Sequence, residues 1–85
     1  MIEVKKYFAE WCAPCKMLDP VFDELKSQYS NINFSTVDID EEQNLALAKG
    51  VRSVPTITIE RDGLEVSRFV GVKSISVYQD ALNSL

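Results

Sequence analysis

Cys12 and Cys15 stand three residues apart and are the only cysteines in the chain. A bridge between them closes a very short loop, which restrains an unfolded chain far less than a bridge spanning dozens of residues. The spacing therefore points away from a structural staple and toward redox or metal chemistry. Zinc needs two further nitrogen or sulfur ligands, and the sequence holds no histidine and no third cysteine, so a metal could be held only between chains. Dithiol–disulfide exchange remains, beside the plain alternative of two unreactive helix cysteines. A cysteine just ahead of a helix faces unpaired backbone N–H groups and the positive end of the helix dipole. Cys12 is thus expected to ionise below the free thiol value of about 8.5 and to act as the nucleophile. Cys15, one turn into the helix, is expected to be more buried, less acidic and the resolving thiol.

The elements that must position this pair follow from periodicity. Ile2 to Ala9 alternates as a strand, with Ile2, Val4, Lys6 and Phe8 on one face. From Ala13 to about Tyr29, Leu18, Val21, Phe22 and Leu25 recur at helical spacing, and Pro20 is expected to kink that helix. Ile32 to Ile39 reads as a second strand, parallel to the first through a right-handed βαβ connection. Asp40 is expected to cap a short helix that Gly50 ends. Val54 to Glu60 and Leu64 to Val70 form an antiparallel hairpin about Asp62-Gly63. Ser74 is expected to cap a last helix carrying Ile75, Tyr78, Ala81, Leu82 and Leu85. The expected order is β-α-β-α-β-β-α, an α/β fold in one domain over residues 1–85.

Composition narrows the function. Hydrophobic residues make up 46% of the 85 residues, enough for a real core, and nothing in the chain suggests a linker or a repeat. The net charge of -4 and pI near 4.6 disfavour nucleic acid and anionic membrane as partners. Met1 to Lys6 lacks the apolar run of a secretory signal, and a lone Cys-x-x-Cys suits a reducing compartment, so a cytoplasmic monomer is expected. Lys5, Glu24, Lys26 and Glu60 read as ordinary surface charges.

The run from Phe8 to Met17, with Trp11-Cys12-Ala13-Pro14-Cys15 at its centre, resembles the active-site segment of the thioredoxin family. Pro20 matches that family's helix-kinking proline, Gly50 to Thr56 its cis-proline segment, Asp62-Gly63 its hairpin turn, and Val70-Gly71 its glycine beside the active site. The resemblance implies a thioredoxin-like fold: a four-stranded mixed sheet with helices on both faces, lacking the family's usual first strand and helix. It implies a cis Val54-Pro55 bond opposite Cys12. It also implies a substrate rim of Trp11, Pro14, Val54, Pro55, Gly71 and Val72, with no cofactor beyond the cysteine pair. Three departures stand out. The chain begins at what resembles the family's central strand. Ala13-Pro14 replaces the usual Gly-Pro between the cysteines. Lys6 occupies the place of the family's buried carboxylate, and Thr36 that of its lysine partner. Lys6, anchored by Asp38, and Lys16 are candidate modulators of the thiol pKa values.

The function implied is reduction of disulfide-containing proteins, with recharging by a flavoenzyme of the thioredoxin-reductase type. A glutathione-dependent, glutaredoxin-like enzyme is the main alternative, weakened because Val70-Gly71-Val72-Lys73-Ser74 lacks that group's Gly-Gly pair and acidic residue. An oxidant of the periplasmic type is disfavoured by the absence of histidine between the cysteines. A partner-binding subunit without redox turnover is the reading from another class.

Overall fold

The computed structural model describes residues 1–85. Seven elements follow one another: β1 (Ile2–Phe8), α1 (Ala13–Gln28), β2 (Asn33–Asp38), α2 (Gln43–Ala48), β3 (Thr56–Arg61), β4 (Leu64–Val70) and α3 (Ile75–Asn83). The strands form one four-stranded sheet in the order β2-β1-β3-β4. β1 pairs in parallel with β2, from Glu3 opposite Asn33 to Phe8 opposite Asp38, and antiparallel with β3. The sheet is mixed because α1 carries the chain back to start β2 in the direction of β1, whereas a tight turn joins β3 to β4. That turn uses Asp62 at φ 52° and Gly63 at φ 85°, the two successive positive values that a type I′ hairpin requires.

Strand alternation separates two unlike faces. Val4, Ile57 and Ile59 point to the face covered by α1 and α3, where they pack with Leu18, Phe22, Leu25, Tyr78 and Leu82. Edge-on ring contacts, Phe22 with Phe34 at 5.5 Å and Phe69 with Tyr78 at 5.4 Å, bind both helices to the sheet. α1 runs without a break through Pro20, which lies on its exposed side.

The opposite face is polar. Lys5, Thr58 and Arg68 stand in register across β1, β3 and β4. Lys5 lies 3.3 Å from Glu60 and 3.8 Å from Glu3. Burial works against the Lys5 ammonium, but the Glu60 and Glu3 carboxylates outweigh it and raise its pKa. Lys5 and Glu60 are therefore not the loose surface charges expected from sequence: Glu60 is only 6% exposed. Arg68 donates to the carbonyls of Lys49 (2.5 Å) and Gly50 (3.2 Å) while paired with Glu65 at 2.8 Å. These bonds hold the end of α2 over this face.

α2 begins later than expected. Asp40 does not cap it; the Asp38 carboxylate accepts the N–H groups of Asp40 (2.9 Å) and Glu41 (3.4 Å), a local turn that competes with helix. The first helical residue is Gln43, whose side chain donates to the Asp40 carbonyl at 3.2 Å. Gly50, at φ 67°, ends the helix as expected. Ser74 precedes α3, yet its hydroxyl pairs with that of Ser76 at 3.0 Å instead of capping the helix. β3 starts at Thr56, since Val54 and Pro55 belong to the preceding loop.

Candidate active site

The cysteine pair is built by the turn that leads from β1 into α1. The Cys12 N–H donates to the Ala9 carbonyl at 3.1 Å, which turns the chain sharply. Cys12 is the N-cap of α1, in extended backbone, and its Sγ accepts the Cys15 N–H at 3.2 Å. A sulfur in the capping position thus takes one of the free N–H groups of the helix start, the place where negative charge is favoured. Pro14 sits in the first turn, where its missing N–H costs nothing. Cys12 and Cys15 are joined as a disulfide, with their Cα atoms 5.3 Å apart. Burial does not separate the two as expected: Cys12 is 4% and Cys15 2% exposed. What distinguishes them is position, since only Cys12 stands at the cap.

Ala9, Cys12 and Cys15 pack with Phe8, Ile39 and Val54. The Val54-Pro55 bond is cis, and Pro55 is buried. The Thr56 hydroxyl donates to the Ser53 carbonyl at 2.8 Å, and the Gly71 N–H donates to the Pro55 carbonyl at 2.8 Å. Gly71 has φ 87°, a conformation a side chain would strain. The structure thereby packs Val54 against the pair and joins Gly71 to the next residue, Pro55. Val72 and Pro14 are exposed nearby in sequence to these groups. The Lys73 N–H donates to the Tyr78 hydroxyl at 3.2 Å, which ties this loop to α3. Burial pushes the Tyr78 pKa up, against that hydrogen bond.

Trp11 is 70% exposed, and its indole N–H donates to the Asp40 carboxylate at 2.9 Å. Sequence reasoning placed Asp40 at a helix cap and missed this role. Its signal was present only in the tertiary pairing of β1 with β2, which brings the two strand ends side by side.

On the inner side of Cys15 lies a cavity of about 340 Å³ lined by Lys6, Phe8, Ala9, Glu10, Cys15, Lys16, Asp19 and Thr36. Lys6 is buried, its ammonium 5.0 Å from the centre of the Phe22 ring and 5.8 Å from that of Phe8. Its carboxylate partner is Asp19 of α1, not Asp38. Asp38 is engaged by backbone N–H groups, whereas Asp19 lies one helical turn beyond Cys15 and so shares its face. Lys16 is exposed at the edge of the same cavity. No group of three or more His, Cys, Asp or Glu side chains converges as a metal site.

A mixed sheet that presents a cysteine pair at the N-terminus of its first helix, against a cis-proline loop, defines the class of α/β proteins built for disulfide exchange. The family profile Thioredoxin matches residues 2–84. A thioredoxin of Chlamydia caviae is 46% identical over 67 residues, covering 79% of this chain and 66% of that protein. Thioredoxin-2 of Saccharomyces cerevisiae is 38% identical over 76 residues, covering 89% of this chain and 73% of that protein. Among solved structures, a point-mutant thioredoxin from Halobacterium salinarum superposes with a TM-score of 0.91 at 37% identity, covering 98% of this chain and 73% of that one. The chain belongs to the thioredoxin family. It spans about two thirds to three quarters of the length of these relatives.

Proposed function

We propose that this chain reduces protein disulfides by dithiol exchange, with Cys12 as nucleophile and Cys15 as resolving thiol. The Cys12 thiolate attacks one sulfur of a substrate disulfide, forming a mixed disulfide and releasing the first substrate thiol. Cys15 then attacks the Cys12 sulfur, closing the Cys12–Cys15 bond and releasing the second. Two electrons and two protons pass from the pair to the substrate. The observation that carries this reading is the Cys12 sulfur at the α1 cap, accepting the Cys15 N–H and packed against Val54.

Substrate recognition follows from the same loop. The backbone N–H and C=O of Val54 make no hydrogen bond within the chain, which suits pairing with an extended substrate segment. Trp11, Pro14, Val54, Pro55, Gly71 and Val72 form the rim, a surface that reads backbone more than side-chain sequence. Lys6 and Lys16 act as charge modulators. The partners are disulfide-containing proteins and a flavoenzyme of the thioredoxin-reductase type. Residues 1–85 act as one domain, a monomer in the cytoplasm, with the cysteine pair as the only redox group. No helix is long and apolar enough to cross a membrane.

The test is reduction of an insulin-type disulfide with dithiothreitol as donor. Cys12→Ser abolishes turnover, and Cys15→Ser accumulates mixed disulfides with substrate. Turnover by Cys12→Ser at the parent rate refutes the mechanism, and an effect that survives loss of both cysteines supports a partner-binding subunit. A reduction potential near the thioredoxin value of about -270 mV separates this role from glutaredoxins, at about -200 to -230 mV.

A further inference from the structure

We propose that Lys6 and Asp19 form a positioning pair for the resolving step, in which the Lys6 ammonium, held by Asp19 in the cavity that Cys15 lines, favours the Cys15 thiolate electrostatically. The proposal rests on the disulfide-exchange reading above and assigns Asp19 a role in it.

The asymmetry of the pair carries the argument. The Lys6 side chain is 7% exposed and the Asp19 side chain 55% exposed. Water screens the carboxylate at the cavity mouth far more than the ammonium within it, so the two charges do not cancel at Cys15. The buried half of the pair is the positive one, and it lines the same cavity as Cys15. Phe8 and Phe22 enclose the ammonium with aromatic faces, which accept a cation and offer it no proton-accepting group.

The other charged groups around the pair leave this balance in place. Glu10 and Lys16 are exposed on the cavity edge and opposite in sign. Asp38 is tied to the N–H groups of Asp40 and Glu41, and Asp40 to Trp11. Beside Lys6 in the sheet stand Thr36 on β2 and Ile57 on β3, neither of them titratable. Asp23, a turn beyond Asp19 on α1, is exposed.

In the step itself, the Cys15 S–H gives its proton to solvent in the cavity. The Cys15 thiolate attacks Cys12 Sγ of the mixed disulfide, the Cys12–Cys15 bond forms, and the bond from Cys12 to the substrate sulfur breaks. The electron pair leaves on that sulfur, which is protonated from water. Lys6 stabilises the attacking anion. Asp19 orients Lys6 and partly offsets its charge, which limits how far the thiol is acidified.

Opposite signs for the two variants make the test decisive. The Cβ resonances of isotope-labelled Cys12 and Cys15 are followed against pH in the reduced full chain, for the parent, Lys6→Met and Asp19→Asn. Lys6→Met is expected to move the Cys15 titration up by about one pH unit, roughly a tenfold loss of thiolate at a given pH. Asp19→Asn is expected to move it down, because the ammonium is no longer offset. A Cys15 titration unmoved in either variant makes the pair merely structural and overturns the proposal. An upward shift in Asp19→Asn overturns the offset assigned to Asp19, because losing a nearby carboxylate lowers a thiol pKa unless Lys6 moves away with it. Asp19 is exposed, so its variant decides the sign even where Lys6→Met fails to fold. The readout needs no substrate, so failure of the reductase assay and failure of this pair remain distinct results.

Discussion

Replacing Arg68 by methionine keeps the length and apolar stem of the side chain but removes every donor. In the folded protein those donors reach the Lys49 and Gly50 carbonyls at the end of α2 and the Glu65 carboxylate on the same strand. A hydrogen bond from a charged group contributes about 1.5–3 kcal/mol, and an exposed ion pair only about 0.2–1 kcal/mol. The bond to Lys49 is partly buried, and those to Gly50 and Glu65 are exposed. Counting the first near its full value and discounting the others puts the loss at about 2 kcal/mol, or a fall in Tm of roughly 8–16 °C for a domain of this size. Because α2 leads through Val51 to the Val54-Pro55 loop, KM for a protein disulfide should rise while the alkylation rate of Cys12 stays unchanged. The Arg68 guanidinium also holds the Glu65 carboxyl below the usual carboxylate range. That contribution is present above the unfolded carboxyl value of about 4.3 and is lost as pH falls through the folded one, so the gap between parent and variant should narrow in strong acid by the Glu65 share and keep the part due to the Lys49 and Gly50 carbonyls. Urea unfolding across pH is the assay. An Arg68→Met variant within about 0.5 kcal/mol of the parent at neutral pH would refute the clamp, since surface changes without a structural role stay within that margin.

Leu18→Ala, at a fully buried position between α1 and the sheet, should cost about 3 kcal/mol by denaturant titration, because the cavity left behind adds to the lost transfer energy. Asp40→Ala should free the indole of Trp11, the only tryptophan, so its fluorescence anisotropy should fall and KM for protein substrates rise, with stability changed by less than about 1 kcal/mol. Burial raises the pKa values of Tyr7 and Tyr78. The neutral phenols therefore favour the folded state below the unfolded value of about 10, and that stability is lost as pH rises toward the folded values. Tyr7→Phe should flatten the alkaline fall in stability, and an unchanged slope in thermal melts would show that Tyr7 does not contribute to it.

The parts of this protein legible in its sequence are those governed by neighbours along the chain. Helix and strand periodicities gave every element its type and its order, because burial of one face repeats at 3.6 or 2 residues wherever a helix or strand lies on a core. Asp62-Gly63 and Gly50 marked their turns because positive φ is a local steric matter. Cys12 before a helix announced its chemistry for the same reason: the free N–H groups belong to the next turn of its own chain. Tertiary structure decided the choice of partners. Asp38 and Asp19 were both available to Lys6, and only the packing of α1 on the sheet put Asp19 within reach while backbone N–H groups claimed Asp38. Asp40 looked like a helix cap and instead holds Trp11, because β1 and β2 end side by side. Glu60 looked like a surface charge and lies buried beside Lys5, since strand alternation sets its face, whereas neighbouring strands and side chains set how much water reaches it. A charged side chain is long and its possible partners are many, so its pairing is settled by three-dimensional distance and competing hydrogen bonds, neither of which is written in residue spacing.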